Sequence, residues 1–200
     1  MREPIDFYFD FTSPYGYFMS EKIDALAARF GRQVRWHPVL LGMVFKTTRT
    51  EPPVSVPLKG DYVKRDFARM ARWLEVPFEL PATFPIATQA AARTYYWLHD
   101  QDCALARRFA HAAFQALFRD GRDISAPATV VDIAAGLGVD AQALSAALQT
   151  DAVKARLKAE NEAAMARGVF GAPYVIVDGE PFWGVDRLAQ IERWLETGGF

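Results

Sequence analysis

Ser13 is the first residue in this chain whose type and position suggest chemistry. Ahead of it, Ile5, Phe7, Phe9 and Phe11 alternate with Asp6, Tyr8 and Asp10. That period of two, rich in aromatics, reads as a buried strand. The alternation breaks at Thr12-Ser13-Pro14. A Ser caps a free backbone N–H at a helix start, and Pro is tolerated at the first helical position because no donor is needed there. A strand thus delivers a hydroxyl to a helix N-terminus, where unpaired N–H groups and the helix dipole favour an anion. The hydroxyl is then either a helix cap alone or a donor to a reacting anion, and this stretch by itself does not separate the two.

Sulfur and metal chemistry on the chain itself is narrowly bounded. Cys103 is the only cysteine, which excludes an internal disulfide, a Cys-x-x-Cys pair and a thiolate zinc site. It opens an Ala-rich helical stretch and reads as a small packing residue rather than a nucleophile. His37, His99 and His111 are scattered, so no metal is expected. The net charge is −1 with no basic stripe, so nucleic acid is not an expected partner. No apolar run is long enough to cross a bilayer, and the chain opens on a strand rather than a signal peptide. The expectation is a cytoplasmic enzyme without membrane attachment.

Periodicity gives the elements that would position Ser13. With 200 residues, 51% of them apolar, the chain can form one domain with a full core, or one domain carrying a large insertion. Met19, Ile23, Leu26, Ala27 and Phe30 recur at the spacing of one amphipathic helix, and Gly31 is a natural stop. Residues 34–39 read as a second strand. Residues 40–57, with Gly42, Lys46, Arg49 and three prolines, read as a long irregular loop. From about 59 to 168 the pattern is helical, with segments near 62–74, 90–98, 105–117, 129–137, 141–148 and 153–167, and with Asp140 and Asp151 as caps. Then a β-branched run at 174–177, the turn Asp178-Gly179 and a return strand at 180–183 form a hairpin. Residues 184–187 open a last helix.

The order is β-α-β, a helical block, then β-β-α. This predicts an α/β fold, a thioredoxin-like β-α-β / β-β-α core interrupted by a large all-helical insertion. Residues 1–45 and 168–200 would form the discontinuous thioredoxin-like domain, and 46–167 the active-site loop and helical insertion. In such a core Pro173, directly ahead of the third strand, falls beside Ser13 and is expected to be cis. The N–H and C=O of Ala172 would then face outward, free to pair with an extended peptide as a strand would.

Phe-Asp-Phe-Thr-Ser-Pro-Tyr at 9–15, Phe45-Lys46, Gly-Val-Phe-Gly-Ala-Pro at 168–173 and Phe-Trp-Gly-Val-Asp-Arg-Leu at 182–188 resemble the 2-hydroxychromene-2-carboxylate isomerases. These are relatives of kappa-class glutathione transferases and of disulfide oxidoreductases with a helical insertion. The resemblance runs nearly end to end. It implies glutathione as cofactor and a homodimer. Ser13 would sit where the redox relatives keep their first active-site Cys and would donate to the glutathione sulfur, favouring thiolate. Ala172, ahead of Pro173, would pair through its backbone with the cysteinyl part. Trp183, Gly184, Val185 and Asp186 would hold the γ-glutamyl end. Lys46 and the loop to Thr50, with Phe84 across the cleft, would face the carboxylate and ring of a small aromatic substrate. The chain departs from relatives in carrying Arg49-Thr50 where Gly-Asn is frequent, and Val185 where Asn is frequent.

The leading reading is a glutathione-dependent isomerase of aromatic-degradation intermediates. The first alternative is a kappa-class-like transferase that keeps the thioether. The second is a non-catalytic module that binds thiol peptides. A dithiol oxidoreductase would need a second cysteine.

Overall fold

The computed structural model describes residues 3–200. Strand β1 (Ile5–Phe9) is buried along its whole length and pairs in parallel with β2 (Val34–Pro38). On its other side it pairs antiparallel with β3 (Tyr174–Val177), which pairs antiparallel with β4 (Glu180–Trp183). The sheet order is β2-β1-β3-β4, as the thioredoxin-like reading requires. Asp178 and Gly179 join β3 to β4 with φ of 52° and 90°, the left-handed pair that a tight hairpin turn demands.

Ser13 leads into α1 (Pro14–Ser20), and α2 (Ile23–Arg29) follows. The single helix expected across 19–30 is therefore two. The Lys22 N–H reaches back to the carbonyl of Met19 at 3.0 Å, three residues instead of four, which tightens the turn and breaks the axis. The expected loop at 40–57 is also corrected, because it contains α3 (Leu41–Thr48) and a short 3₁₀ turn at Pro53–Ser55. Beyond it lie α4 (Lys59–Trp73), α5 (Gln89–His99), α6 (Cys103–Phe118), α7 (Pro127–Ala135), α8 (Ala141–Gln149) and α9 (Asp151–Ala166). After β4, a 3₁₀ turn at Val185–Arg187 runs into α10 (Leu188–Thr197). Asp140 caps α8 as expected. Asp151 does not cap α9. Thr150 does, and Asp151 sits in the first turn, where its charge faces the helix dipole. Cys103 is exposed, so it is not the packing residue expected. As the first residue of α6 it lies outside that helix's buried face.

One core runs from the sheet into the helical block. Phe9 packs on Trp36 at 5.5 Å, on Phe114 at 5.4 Å and on Tyr95 at 6.2 Å between ring centres. Tyr17 stacks on Phe118 at 5.5 Å. The aromatic alternation of β1 thus grips helices far away in sequence and fixes the strand's C-terminal end, where Ser13 follows. Toward the opposite face, Asp6 is buried and accepts from Arg35 at 2.7 and 2.9 Å, from His37 Nε2–H at 2.9 Å and from Arg167 at 2.8 Å.

Candidate functional site

Ser13 has extended backbone and caps α1, its Oγ accepting from the Gly16 N–H at 3.1 Å. It is almost wholly buried. The same hydroxyl donates to the carbonyl of Ala172 at 3.1 Å. The two ends of the chain therefore meet at this atom. The Ala172–Pro173 bond is cis, as expected. The carbonyl of Ala172, expected to face outward free, is instead held by Ser13, because a capping hydroxyl keeps its own proton available for a second partner. The Pro173 carbonyl accepts from the Gly184 N–H at 3.0 Å, which ties the start of the last helix to the same loop.

Asp10, fully buried, organises the surroundings. Its Oδ1 accepts from the Thr12 N–H at 3.1 Å and from the Thr88 hydroxyl at 2.6 Å, and its Oδ2 accepts from the Leu41 N–H at 2.7 Å. Its backbone carbonyl accepts the Ser13 N–H at 2.9 Å. Burial pushes the Asp10 carboxyl above the usual range, and the donors Thr88, Leu41 and Thr12 pull the other way. The Thr12 hydroxyl accepts from the Ile86 N–H at 3.2 Å. Tyr15, next to the cap, donates to Asp66 Oδ2 on α4 at 2.5 Å and packs on Phe67 at 4.9 Å. Desolvation, reinforced by Asp66, raises the Tyr15 phenol well above its ordinary value, so it stays protonated at neutral pH. Asp10, Thr12, Tyr15 and Thr88 are support residues that periodicity does not reveal.

Trp183 is 57% exposed and packs its ring on Phe170 at 4.9 Å. A Cβ on Gly171 would lie 2.4 Å from its Nε1, so the indole lies directly against the backbone that leads into Ala172. Gly184 has φ +109°, and a Cβ there would meet Asp186 Oδ1 at 2.3 Å. The Asp186 carboxylate is thus folded back over Gly184, where it also accepts from Arg187 at 3.0 Å. Val185 is buried, and with Asp186 it lines a groove of about 330 Å³ whose other walls include Leu26, Met70 and Trp73.

Phe84 is half-buried and meets Phe67 at 6.0 Å, which brings it beside Tyr15 through a shared ring. Lys46 and Thr50 are exposed at the far end of α3. Thr50 donates its N–H to the Phe45 carbonyl at 3.0 Å, and its hydroxyl meets that of Thr48 at 2.7 Å. Lys46 has no ion pair among the described residues. Among the described residues, no hydrogen bond or ion pair joins Lys46 or Thr50 to Ser13 or to Phe84. The first residue of α3 is tied to the Ser13 loop through Asp10.

A family model for the DsbA-like thioredoxin domain matches residues 4–196. The chain belongs to that family. It is 32% identical over 197 residues to a 2-hydroxychromene-2-carboxylate isomerase of Sphingobium xenophagum, covering 98% of this chain and 99% of that one. It is 28% identical to glutathione S-transferase kappa 1 of Caenorhabditis elegans, covering 96% and 90%. A solved 2-hydroxychromene-2-carboxylate isomerase superposes with a TM-score of 0.87 at 27% identity, over 97% of this chain and 95% of that one. The resemblance to that isomerase family, drawn from four short motifs, therefore extends over the whole chain.

Proposed function

We propose that this protein is a glutathione-dependent isomerase of 2-hydroxychromene-2-carboxylate-type substrates. The carrying observation is the Ser13 hydroxyl, at a helix N-terminus and 3.1 Å from Ala172, in a chain whose one cysteine lies elsewhere, exposed on α6. A site built like this has no thiol of its own and is suited to receive one. The residues fit a thiol peptide. The Ala172 N–H has no backbone acceptor among the described residues, leaving a main-chain edge for the cysteinyl unit. Asp186 and the first N–H groups of the 185–187 turn suit an amino group and a carboxylate respectively.

When bound, glutathione would supply a thiolate that adds reversibly to the conjugated double bond, allows rotation and leaves. Ser13 would hold the sulfur's negative charge by donating to it, assisted by the α1 terminus. Ala172 would orient the peptide, and its side chain would matter little because the contact is main chain. Lys46 and Thr50 would face the substrate carboxylate, and Phe84 its ring. The substrate would be a small anionic aromatic molecule, and the protein would act as a homodimer in the cytoplasm. The names of the isomerase relatives support this reading over others.

The second reading is a transferase that keeps the thioether, supported by the kappa-class relatives. The two differ in whether thiol is consumed. Free thiol is measured before and after complete turnover of 2-hydroxychromene-2-carboxylate. An unchanged level is expected, and stoichiometric loss would overturn the isomerase in favour of the transferase. Glutathione binding without turnover of any electrophile would leave only a binding module.

A further inference from the structure

The Asp10 carboxylate touches three segments that meet around Ser13, and every partner of its side chain is a donor. Two of those donors, the N–H of Thr12 on Oδ1 and the N–H of Leu41 on Oδ2, are main chain and cannot reverse. The third, the Thr88 hydroxyl, is the N-cap residue of α5. Neither Thr88 nor Leu40, the N-cap of α3, caps its own helix with a side chain. Asp10 therefore places one buried acceptor group at the start of two helices, where it takes the first N–H of α3 and the hydroxyl of the α5 N-cap residue. On the proposed reading, these two segments carry the residues that would face the substrate. α3 runs from Leu41 to the Lys46 side, and the segment ahead of α5 carries Phe84 and is tied a second time through Ile86 to Thr12.

We propose that Asp10 is a positioning residue that clamps the start of α3 and the segment ahead of α5 at a fixed separation about Ser13, so that an anionic aromatic substrate meets the bound thiol in register. The proposal rests on the isomerase reading for the substrate but on geometry alone for the clamp. The thiol side should be insensitive to it, because Ser13 is held by the backbone carbonyl of Asp10 and not by its carboxylate.

Asp10→Asn is the direct probe. An amide presents one acceptor and one donor, so either orientation sets an N–H against an N–H of Leu41 or of Thr12. Thr88→Val removes one arm only, and Thr88→Ser keeps it. Three measurements are made on the full chain: KM and kcat with 2-hydroxychromene-2-carboxylate, glutathione Kd by calorimetry, and amide hydrogen exchange. Asp10→Asn should raise substrate KM about tenfold or more, since small misplacements are costly, with glutathione Kd unchanged. Exchange should quicken at 41–44 and 86–88 but not in α1. Thr88→Val should reproduce the effect at 86–88 alone, and Thr88→Ser should restore it. Unchanged KM and exchange in Asp10→Asn would overturn the clamp. So would a loss of glutathione affinity equal to the rise in KM, or Thr88→Ser behaving like Thr88→Val. Should Asp10→Asn not fold, the Thr88 pair decides. Should the unmodified protein not turn over the chromene, the isomerase reading fails, and the exchange pattern still decides the clamp.

Discussion

The Ser13 hydroxyl donates to the carbonyl of Ala172 at 3.1 Å across 159 residues of sequence, while accepting from the N–H of Gly16. A hydroxyl has one proton to give. If Ser13 turns that proton to a bound sulfur, it must leave Ala172, whose carbonyl is then free to accept from the thiol peptide. Release of the docking edge and stabilisation of the thiolate would be one movement.

Ser13→Ala should therefore cost about 1–2 kcal/mol of stability, for a lost cap and a lost side-chain bond. It should fold. The pKa of bound glutathione thiol should rise, since the hydroxyl helps the charged form more than the neutral one, and each unit of that rise costs about tenfold in thiolate at neutral pH. The defect should shrink as pH approaches the thiol's own pKa. Bound-thiolate absorbance and a pH–rate profile measure this. Full activity with an unchanged profile would leave Ser13 as a cap only.

The substrate side is tested separately at Lys46. It lies exposed on α3 with no ion pair among the described residues, so removing its charge should not disturb the fold. Lys46→Met should raise KM for anionic substrates several-fold, with glutathione affinity unchanged. Steady-state kinetics at two ionic strengths check it, because an exposed ammonium–carboxylate contact weakens with salt. Equal kinetics for variant and parent would make Lys46 a solvated surface residue.

How much of this could be read from sequence depends on where each signal sits. The strand-Ser-Pro-helix junction and the paired Ala172-Pro173 are local patterns, and the structure brings them together. Helix α3 is not a local pattern. Its N-cap is Leu40, which has no capping oxygen, and it ends at Arg49 with φ 55° instead of at a glycine. The acceptor for its first N–H comes from Asp10, 31 residues earlier. A helix started by a distant carboxylate and stopped by a strained arginine has neither of the usual sequence marks. For the same reason Asp10 itself passes as one more polar residue in an alternating strand. Its role lies in partners at positions 12, 41 and 88 that only the fold assembles.

Gly184 offers a prediction at the other end of the site. Its φ of +109° is unsuited to a side chain, and a Cβ would collide with Asp186 Oδ1. Gly184→Ala should destabilise the chain by about 1 kcal/mol or more and displace the Asp186 carboxylate. If that carboxylate holds the γ-glutamyl ammonium, glutathione Kd should rise in Gly184→Ala, while Asp186→Asn at an unaltered backbone should give a similar loss. Calorimetry with glutathione and with a des-amino analogue distinguishes the two. Loss of affinity for both ligands alike would mean that Asp186 does not read the amino group.

The last prediction concerns acid stability and isolates Asp6. Burial alone would raise its carboxyl, but hydrogen bonds from His37, Arg35 and Arg167 outweigh that and hold it well below the usual carboxylate range. The folded chain therefore gives up this proton more readily than the unfolded chain, so the contribution is fully present above the ordinary carboxylate pKa of about 4 and is lost as pH falls below it. Asp10 has the opposite sign, its carboxyl being pushed up, so its contribution weakens as pH rises through the carboxylate range. The whole-protein pH curve mixes the two, but the difference between parent and Asp6→Asn does not, because Asp10 is unchanged in both. That difference should be about 2 kcal/mol at neutral pH, the worth of charge-assisted bonds whose arginine heads can re-solvate. It should narrow steadily below about pH 4. Urea unfolding from neutral pH into acid measures it. A difference that stays constant through that range would mean that Asp6 contributes through packing, and that its two arginines and His37 do not depend on its charge.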